Sequence, residues 1–159
     1  LHGANVHGDS LMGKAGFATI CAMSIDLQRQ EQSRTRITRL VFPQHTNPLG
    51  TLYGGSALQW MDEVAFFAAT RYARRQVVTV SMDRVDFKVP IPQGAIVELV
   101  AEVVKVGHSS LTMNVRMLIE DAVAGTSELA IEGQLVMVAV DKTMRPVAID
   151  AAHDEEKSR

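Results

Sequence analysis

The stretch Asn47-Pro-Leu-Gly-Thr-Leu-Tyr-Gly-Gly-Ser-Ala-Leu-Gln-Trp-Met-Asp-Glu63 decides the fold, because a turn, a helix start and a carboxylate follow one another within it. Pro48, Gly50, Gly54 and Gly55 supply turn chemistry, and the apolar run behind them has no helix breaker, so a loop should enter a helix near residue 55. Ser56 and Gln59 have the spacing of a capping box. Leu58, Met61, Ala65, Ala68 and Tyr72 recur every three to four residues, and Ala57, Val64 and Ala69 widen the stripe. The spacing predicts a nearly all-buried helix running to about Arg75. Asp62 and Glu63 interrupt it. A carboxylate among apolar neighbours must be paired, hydrogen-bonded or neutralised. Asp62, four residues from both Leu58 and Phe66, is the stronger functional candidate of the two. The competing reading is structural: an exposed helix edge, or an ion pair with Arg71 or Arg84.

Outward from this helix the chain reads as strands. Thr35 to Phe42 alternates polar and apolar residues until Pro43 stops it, and Val77 to Val89 is β-branched and largely alternating before Pro90-Ile-Pro-Gln-Gly94 forces a turn. Ile96 to Val106 should place Val97, Leu99, Ala101, Val103 and Lys105 on one face, and Gly107 can bend the chain ahead of Ser109 and Ser110. Leu111 to Ile119 and Glu128 to Asp141 complete the set. One strand, one long helix and four strands give an α+β domain, a curved antiparallel sheet wrapped around a central helix. One sheet covered by one helix leaves an edge and part of an apolar face open, so dimerisation is expected.

At 159 residues the chain suits a single domain. Residues 1–35 read as an N-terminal extension: the start lacks Met and is polar and glycine-rich, like appended or upstream-translated sequence. Lys14 with Ala15 to Ile25 has only the outline of a weak signal peptide. The polar run Gln28 to Thr35 reads as tail or linker, residues 36–148 as the domain, and 149–159 as a second tail. Formal charge is -2 with scattered basic residues, which gives nucleic acid no footprint. No apolar segment approaches the roughly 20 residues that cross a bilayer. The single Cys21 cannot form an internal disulfide. These features predict a soluble cytoplasmic protein.

Several stock chemistries are missing. His2, His7, His45, His108 and His153 show no paired metal-ligand spacing, and one cysteine makes no zinc site. There is no Gly-x-Ser-x-Gly elbow, and Ser56 is more economically a cap than a nucleophile. Gly50 to Gly55 matches neither a P-loop nor a dinucleotide fingerprint. His45 is better read as a loop histidine with local hydrogen bonds than as a catalytic one. What remains is a helix start with free N–H groups suited to a developing oxyanion, one amide, and a carboxylate able to activate water or attack a carbonyl. An activated acyl compound is the substrate class that fits. Gly55 and Asp62 lie roughly 10 Å apart along a helix rising 1.5 Å per residue, whereas reacting groups converge to about 3 Å. A two-fold dimer with antiparallel helices would set the glycine N–H of one subunit opposite the aspartate of the other.

Thr46-Asn47-Pro-Leu-Gly50-Thr-Leu-Tyr-Gly54-Gly55, then Met61-Asp62-Glu63-Val-Ala65, resembles the hotdog-fold acyl-CoA thioesterases of the YciA and brain acyl-CoA hydrolase type. Val78-Thr-Val-Ser81, Asp86-Phe-Lys-Val-Pro90 and Val104-Lys-Val-Gly107-His-Ser-Ser110 resemble that family in order and spacing, over about residues 36–148. The resemblance implies a hotdog fold, dimers sharing two active sites and often tetramers or hexamers, and an acyl-CoA substrate with no metal or redox cofactor. It implies Asp62 as catalytic carboxylate, Asn47 contributed by the opposite subunit to position water or thioester, and Gly54 and Gly55 as the helix start, with the Gly55 N–H polarising the carbonyl. It implies that Gly107, His108, Ser109 and Ser110 contact the nucleotide part of CoA, with His108 where relatives often carry Arg. Thr79, Val80 and Ser81 would border the pantetheine path. The alternative on the same scaffold is a non-catalytic acyl-CoA binding or sensing domain.

Overall fold

The computed structural model describes residues 24–149. The readings of residues 1–23 as appended sequence or a weak leader, and of 150–159 as a tail, lie outside them. Chain order is α1 (Leu27–Ser33), β1 (Thr35–Leu40), a 3-10 turn (Pro43–His45), α2 (Gly54–Ala73), β2 (Gln76–Phe87), β3 (Ile96–Val106), β4 (Ser110–Asp121) and β5 (Thr126–Val140). The five strands form one antiparallel sheet in the order β1-β3-β4-β5-β2, with α2 packed across it. The strand, helix and four-strand order expected from the sequence is therefore present, and the fold is the hotdog.

Small side chains explain how closely α2 sits. Ala57, Ala65, Ala68, Ala69 and Ala73 are buried on it beside Met61, Val64 and Tyr72, so the helix backbone can approach the sheet. Facing them are Val97, Leu99, Ala101, Val103, Met113, Val115, Met117, Leu135 and Met137, the alternating inward positions of β3, β4 and β5. At Gly133 a Cβ would stand 2.9 Å from Val85 Cγ2 and 3.2 Å from Met61 Cε, so any side chain there would force its neighbours to shift.

Four expectations are corrected. The polar run taken as tail or linker contains α1: Asp26 caps the Arg29 N–H, Gln30 donates its side-chain amide to the Val103 carbonyl, and Ser33 and Thr35 are buried. At the other end Ile149 is fully buried and its N–H bonds to the His108 carbonyl, so the packed unit extends past 148. Lys105 does not share the inward face. A bulge between Val103 and Lys105 shifts the alternation by one residue, and Val106 is buried in its place. Finally, α2 is not nearly all buried: Gly55, Gln59, Phe66 and Phe67 are exposed with Asp62 and Glu63 half-buried between them, which leaves one open stripe along the helix.

Candidate active site

Asp62 sits midway along that open stripe. Its Oδ1 accepts a hydrogen bond of 2.5 Å from the Thr79 hydroxyl, which also lies 3.2 Å from the Met137 sulfur. Oδ2 has no partner among the described residues. Neither arginine of the structural reading pairs with it: Arg71 donates to the Thr35 hydroxyl, while Arg84 lies exposed on β2. Glu63, next door, is the structural carboxylate. It pairs with Arg39, whose guanidinium also lies 5.3 Å from the centre of the Trp60 ring. The two neighbours on one helix thus divide into a neutralised acid and one held by a single hydroxyl.

Thr79 reaches Asp62 because β2, an edge strand, bulges there. Thr79 pairs with Met137 and Ser81 with Val136, so Val80 is the extra residue between two ladder pairs. Val80 is more than half exposed, and Ser81 bonds to Asp83. Of the three strand residues singled out in the sequence, only Thr79 touches the carboxylate. Sequence reading placed it beside a ligand path and missed this contact, which joins residues seventeen apart across a helix and a strand.

The helix start is uncapped. Ser56 and Gln59 do not form a capping box, because Gly54 is already the first helical residue and Tyr53 takes the N-cap place without offering a side-chain bond. Ser56 therefore lies inside the first turn, too far along to cap it. The first intrahelical bond is Ala57 N–H to the Tyr53 carbonyl, leaving the N–H groups of Gly54, Gly55 and Ser56 without partners among the described residues. A Cβ at Gly55 would meet nothing within 4 Å, whereas one at Gly54 would touch the Phe87 ring at 3.7 Å. The space beside the Gly55 Cα is thus open, while that beside Gly54 is closed by Phe87.

Asn47 organises the loop leading into this helix. Its Oδ1 accepts from the N–H groups of Leu49 (2.9 Å) and Thr51 (3.2 Å), and its Nδ2 donates to the Thr51 hydroxyl at 2.9 Å. A carboxamide carries two N–H hydrogens and one acceptor oxygen. Asn47 therefore has its oxygen occupied and one N–H hydrogen left to donate. His45 fixes the same loop from behind: its Nδ1 accepts from Phe42 N–H at 3.3 Å, its carbonyl accepts from Tyr53 N–H, and its ring meets Trp60 edge-on at 4.9 Å. Its hydrogen bonds are local.

Gly107 to Ser110 form the tight β3–β4 turn. Gly107 N–H bonds to the Ser110 carbonyl, and a Cβ on Gly107 would come within 2.5 Å of Ser110 Oγ. The His108 carbonyl accepts from Ile149 and the Ser109 carbonyl from Ala139. Ser110 pairs with Val138, which pairs with Val78, so the turn lies two strand spacings, about 10 Å, from the residue beside Thr79. Within one chain, then, the structure joins Asp62 to Thr79 and leaves Asn47, the Gly55 N–H and the 107–110 turn separate from them. Among the described residues no group of three His, Cys, Asp or Glu could hold a metal, and no helix is long and apolar enough to cross a membrane.

A curved antiparallel sheet around one long central helix is the fold of the hotdog thioesterases, and known proteins of that class resemble this chain. The family described as the thioesterase superfamily matches residues 49–126. YkhA of Bacillus subtilis, described as an uncharacterized acyl-CoA thioester hydrolase, is 40% identical over 75% of this chain and 69% of its own. An acyl-CoA hydrolase from Staphylococcus aureus, solved with butyryl coenzyme A, coenzyme A and coenzyme A disulfide, superposes with a TM-score of 0.74 at 38% identity, covering 75% of this chain and 73% of that one. A hexameric thioesterase from Yersinia pestis gives 0.66 at 33% identity, over 70% and 91%. The chain belongs to the hotdog thioesterase superfamily. The Staphylococcus enzyme has also been solved as alanine variants of an asparagine, an aspartate and a threonine, spaced fifteen and then seventeen residues apart. Asn47, Asp62 and Thr79 have the same two spacings.

Proposed function

We propose that this protein hydrolyses acyl-coenzyme A thioesters, with Asp62 as general base or nucleophile, Asn47 of the partner subunit as hydrogen-bond donor, and the Gly55 N–H as oxyanion donor. The observation that carries the reading is the half-buried Asp62 carboxylate, one oxygen held by Thr79 and the other unoccupied, on the open stripe of α2. The matched spacing of Asn47, Asp62 and Thr79 with the varied residues of the Staphylococcus enzyme supports it.

As a base, the free carboxylate oxygen takes a proton from water while the water oxygen bonds to the thioester carbon. The tetrahedral oxyanion is met by a helix-start N–H, the carbon–sulfur bond breaks, and the thiolate recovers the proton. As a nucleophile, the same oxygen attacks the carbonyl directly and water then cleaves the mixed anhydride. Either way one water is consumed, and free acid and CoA thiol leave. Gly55 and Asp62 of one chain stand roughly 10 Å apart along α2, so the N–H that meets the substrate of Asp62 comes from an antiparallel partner helix. The exposed Phe67 and the bulged β2 edge at Val80 favour such a dimer, and the hexameric relative favours further assembly. Coenzyme A enters as part of the substrate.

Asp62→Ala should lower turnover by roughly 10² to 10⁴, the scale of losing a general base, with an unchanged circular dichroism spectrum. Thiol release from a panel of acyl-CoA thioesters measures it. Near wild-type hydrolysis by the folded variant would remove the mechanism.

A further inference from the structure

A cleft of about 510 Å³ lies between the C-terminal half of α2, the start of β2 and the end of β5. Phe66, one helical turn beyond Asp62, and Val78, the neighbour of Thr79, begin it; Val77, Val140 and Met144 line it, and Thr70, Arg74 and Arg75 stand toward its far end. Size, apolar walls and a few polar groups are the features of a small-molecule site. Its polar groups lack partners. The Thr70 hydroxyl oxygen and the Arg75 Nε are buried without a hydrogen bond, and neither Arg74 nor Arg75 forms an ion pair among the described residues. Two arginines without an ion pair among the described residues leave the far end of the cleft positively charged, which suits an anionic group.

The backbone adds a second observation. Arg74 ends α2 at φ 51 and Met144 lies at φ 64, left-handed conformations that glycine adopts more cheaply. Two of the three non-glycine residues in that region among those described therefore line this one cleft. Arginine at a helix C-terminus is favoured by the negative pole there, but that attraction does not explain an arginine where a glycine would relieve strain.

Resting on the hydrolase reading, we propose that the cleft holds the acyl arm of the substrate and that Arg74 and Arg75 bind a carboxylate at its distal end. The enzyme's preferred substrates are then ω-carboxyacyl-CoA thioesters. Thr70 and Arg74 lie roughly 12 and 18 Å along the helix from Asp62, and an extended chain with bonds of about 1.5 Å advances about 1.25 Å per carbon. The matching acyl chain has about ten to fourteen carbons. Apolar walls take the methylenes, and paired guanidinium forks suit a carboxylate.

The test compares saturated acyl-CoA thioesters with ω-carboxy thioesters of equal length, in the assembled wild-type enzyme and in the double variant Arg74→Gly, Arg75→Gln. Wild type should favour the ω-carboxy series by about 10- to 100-fold in kcat/KM, the scale of a hydrogen-bonded charge, through KM and only near the matching length. The double variant should lose this preference while hydrolysing saturated substrates as wild type does, and should melt no lower, because glycine relieves the strain at 74. A wild type without preference overturns the proposal. So does a double variant with raised KM on every substrate, acetyl-CoA included, which would put CoA phosphates on the arginines. A double variant that dissociates and loses all substrates equally would place the pair in a subunit interface, and overturns it too. Hydrolysis of no thioester at all by wild type is a different failure, that of the hydrolase reading itself.

Discussion

Replacing Thr79 with valine keeps the β-branched shape on β2 and deletes one atom's chemistry, the hydroxyl that meets Asp62 Oδ1 at 2.5 Å. That length is typical of a hydroxyl on an ionised carboxylate, and such bonds are worth about 1.5–3 kcal/mol. Asp62 has no other fixed partner among the described residues, so without the hydroxyl its side chain is free to turn within the stripe. If the bond orients the reacting oxygen throughout the reaction, turnover should fall by about 10- to 150-fold, since each 1.4 kcal/mol is tenfold. KM should change little. The assay is thiol release at saturating thioester for Thr79→Val, Thr79→Ser and Asp62→Ala, alone and combined. Serine should retain most activity. In the Asp62→Ala background valine should cost almost nothing further, because residues acting through one another are non-additive. A folded valine variant with wild-type turnover, or full additivity with Asp62→Ala, would refute the reasoning.

Three further outcomes follow from the geometry. Mixing Asp62→Ala protein with an Asn47→Asp variant, which keeps an acceptor for the Leu49 and Thr51 N–H groups but loses the spare donor hydrogen, should restore part of the lost activity through hybrid dimers; no recovery after verified subunit exchange counts against a shared site. Gly133→Ala forces a Cβ to 2.9 Å from Val85 and 3.2 Å from Met61 and should destabilise by about 1–3 kcal/mol in urea unfolding; an unchanged midpoint would show that Val85 yields freely. The Thr143 hydroxyl bond, with the N–H groups of Arg145 and Thr143, holds the Asp141 carboxyl below its ordinary 3.8. A lowered folded value means stability present above the unfolded value and lost as pH falls through the folded one. Carboxyl NMR should therefore place the Asp141 midpoint below 3.8, with the 141–145 turn loosening only in acid; a midpoint at or above 3.8 contradicts these bonds.

Much of this was legible in the chain because the determinants are periodic or local. The glycine turn and the apolar spacing of 57–72 located α2, and strand alternation located β1 to β5. What escaped depends on contacts. The seven residues of α1, Leu-Gln-Arg-Gln-Glu-Gln-Ser, carry no apolar stripe and are held instead by the Asp26 cap, the Gln30 reach to β3 and Arg29 lying 4.8 Å from the Tyr72 ring centre. The Ser56–Gln59 spacing fitted a cap that starts three residues too late, because Gly54 adopts helical geometry where a glycine reads more readily as loop. Lys105 was misassigned because a bulge resets the alternation without altering composition. In the site, Asp62 was visible as a charge out of place, while its bond to Thr79 spans helix and strand and leaves no mark in local spacing.

The uncapped start of α2 also bears on how the enzyme responds to occupancy. A helix whose first amide hydrogens go unanswered gives up some of its own firmness, and whatever oxygen arrives there does the work a serine or aspartate would otherwise do. Product or inhibitor in the site should therefore act as a brace, raising the melting temperature by mass action as it fills. The empty enzyme is the softer form, and its durability would track the supply of thioester around it.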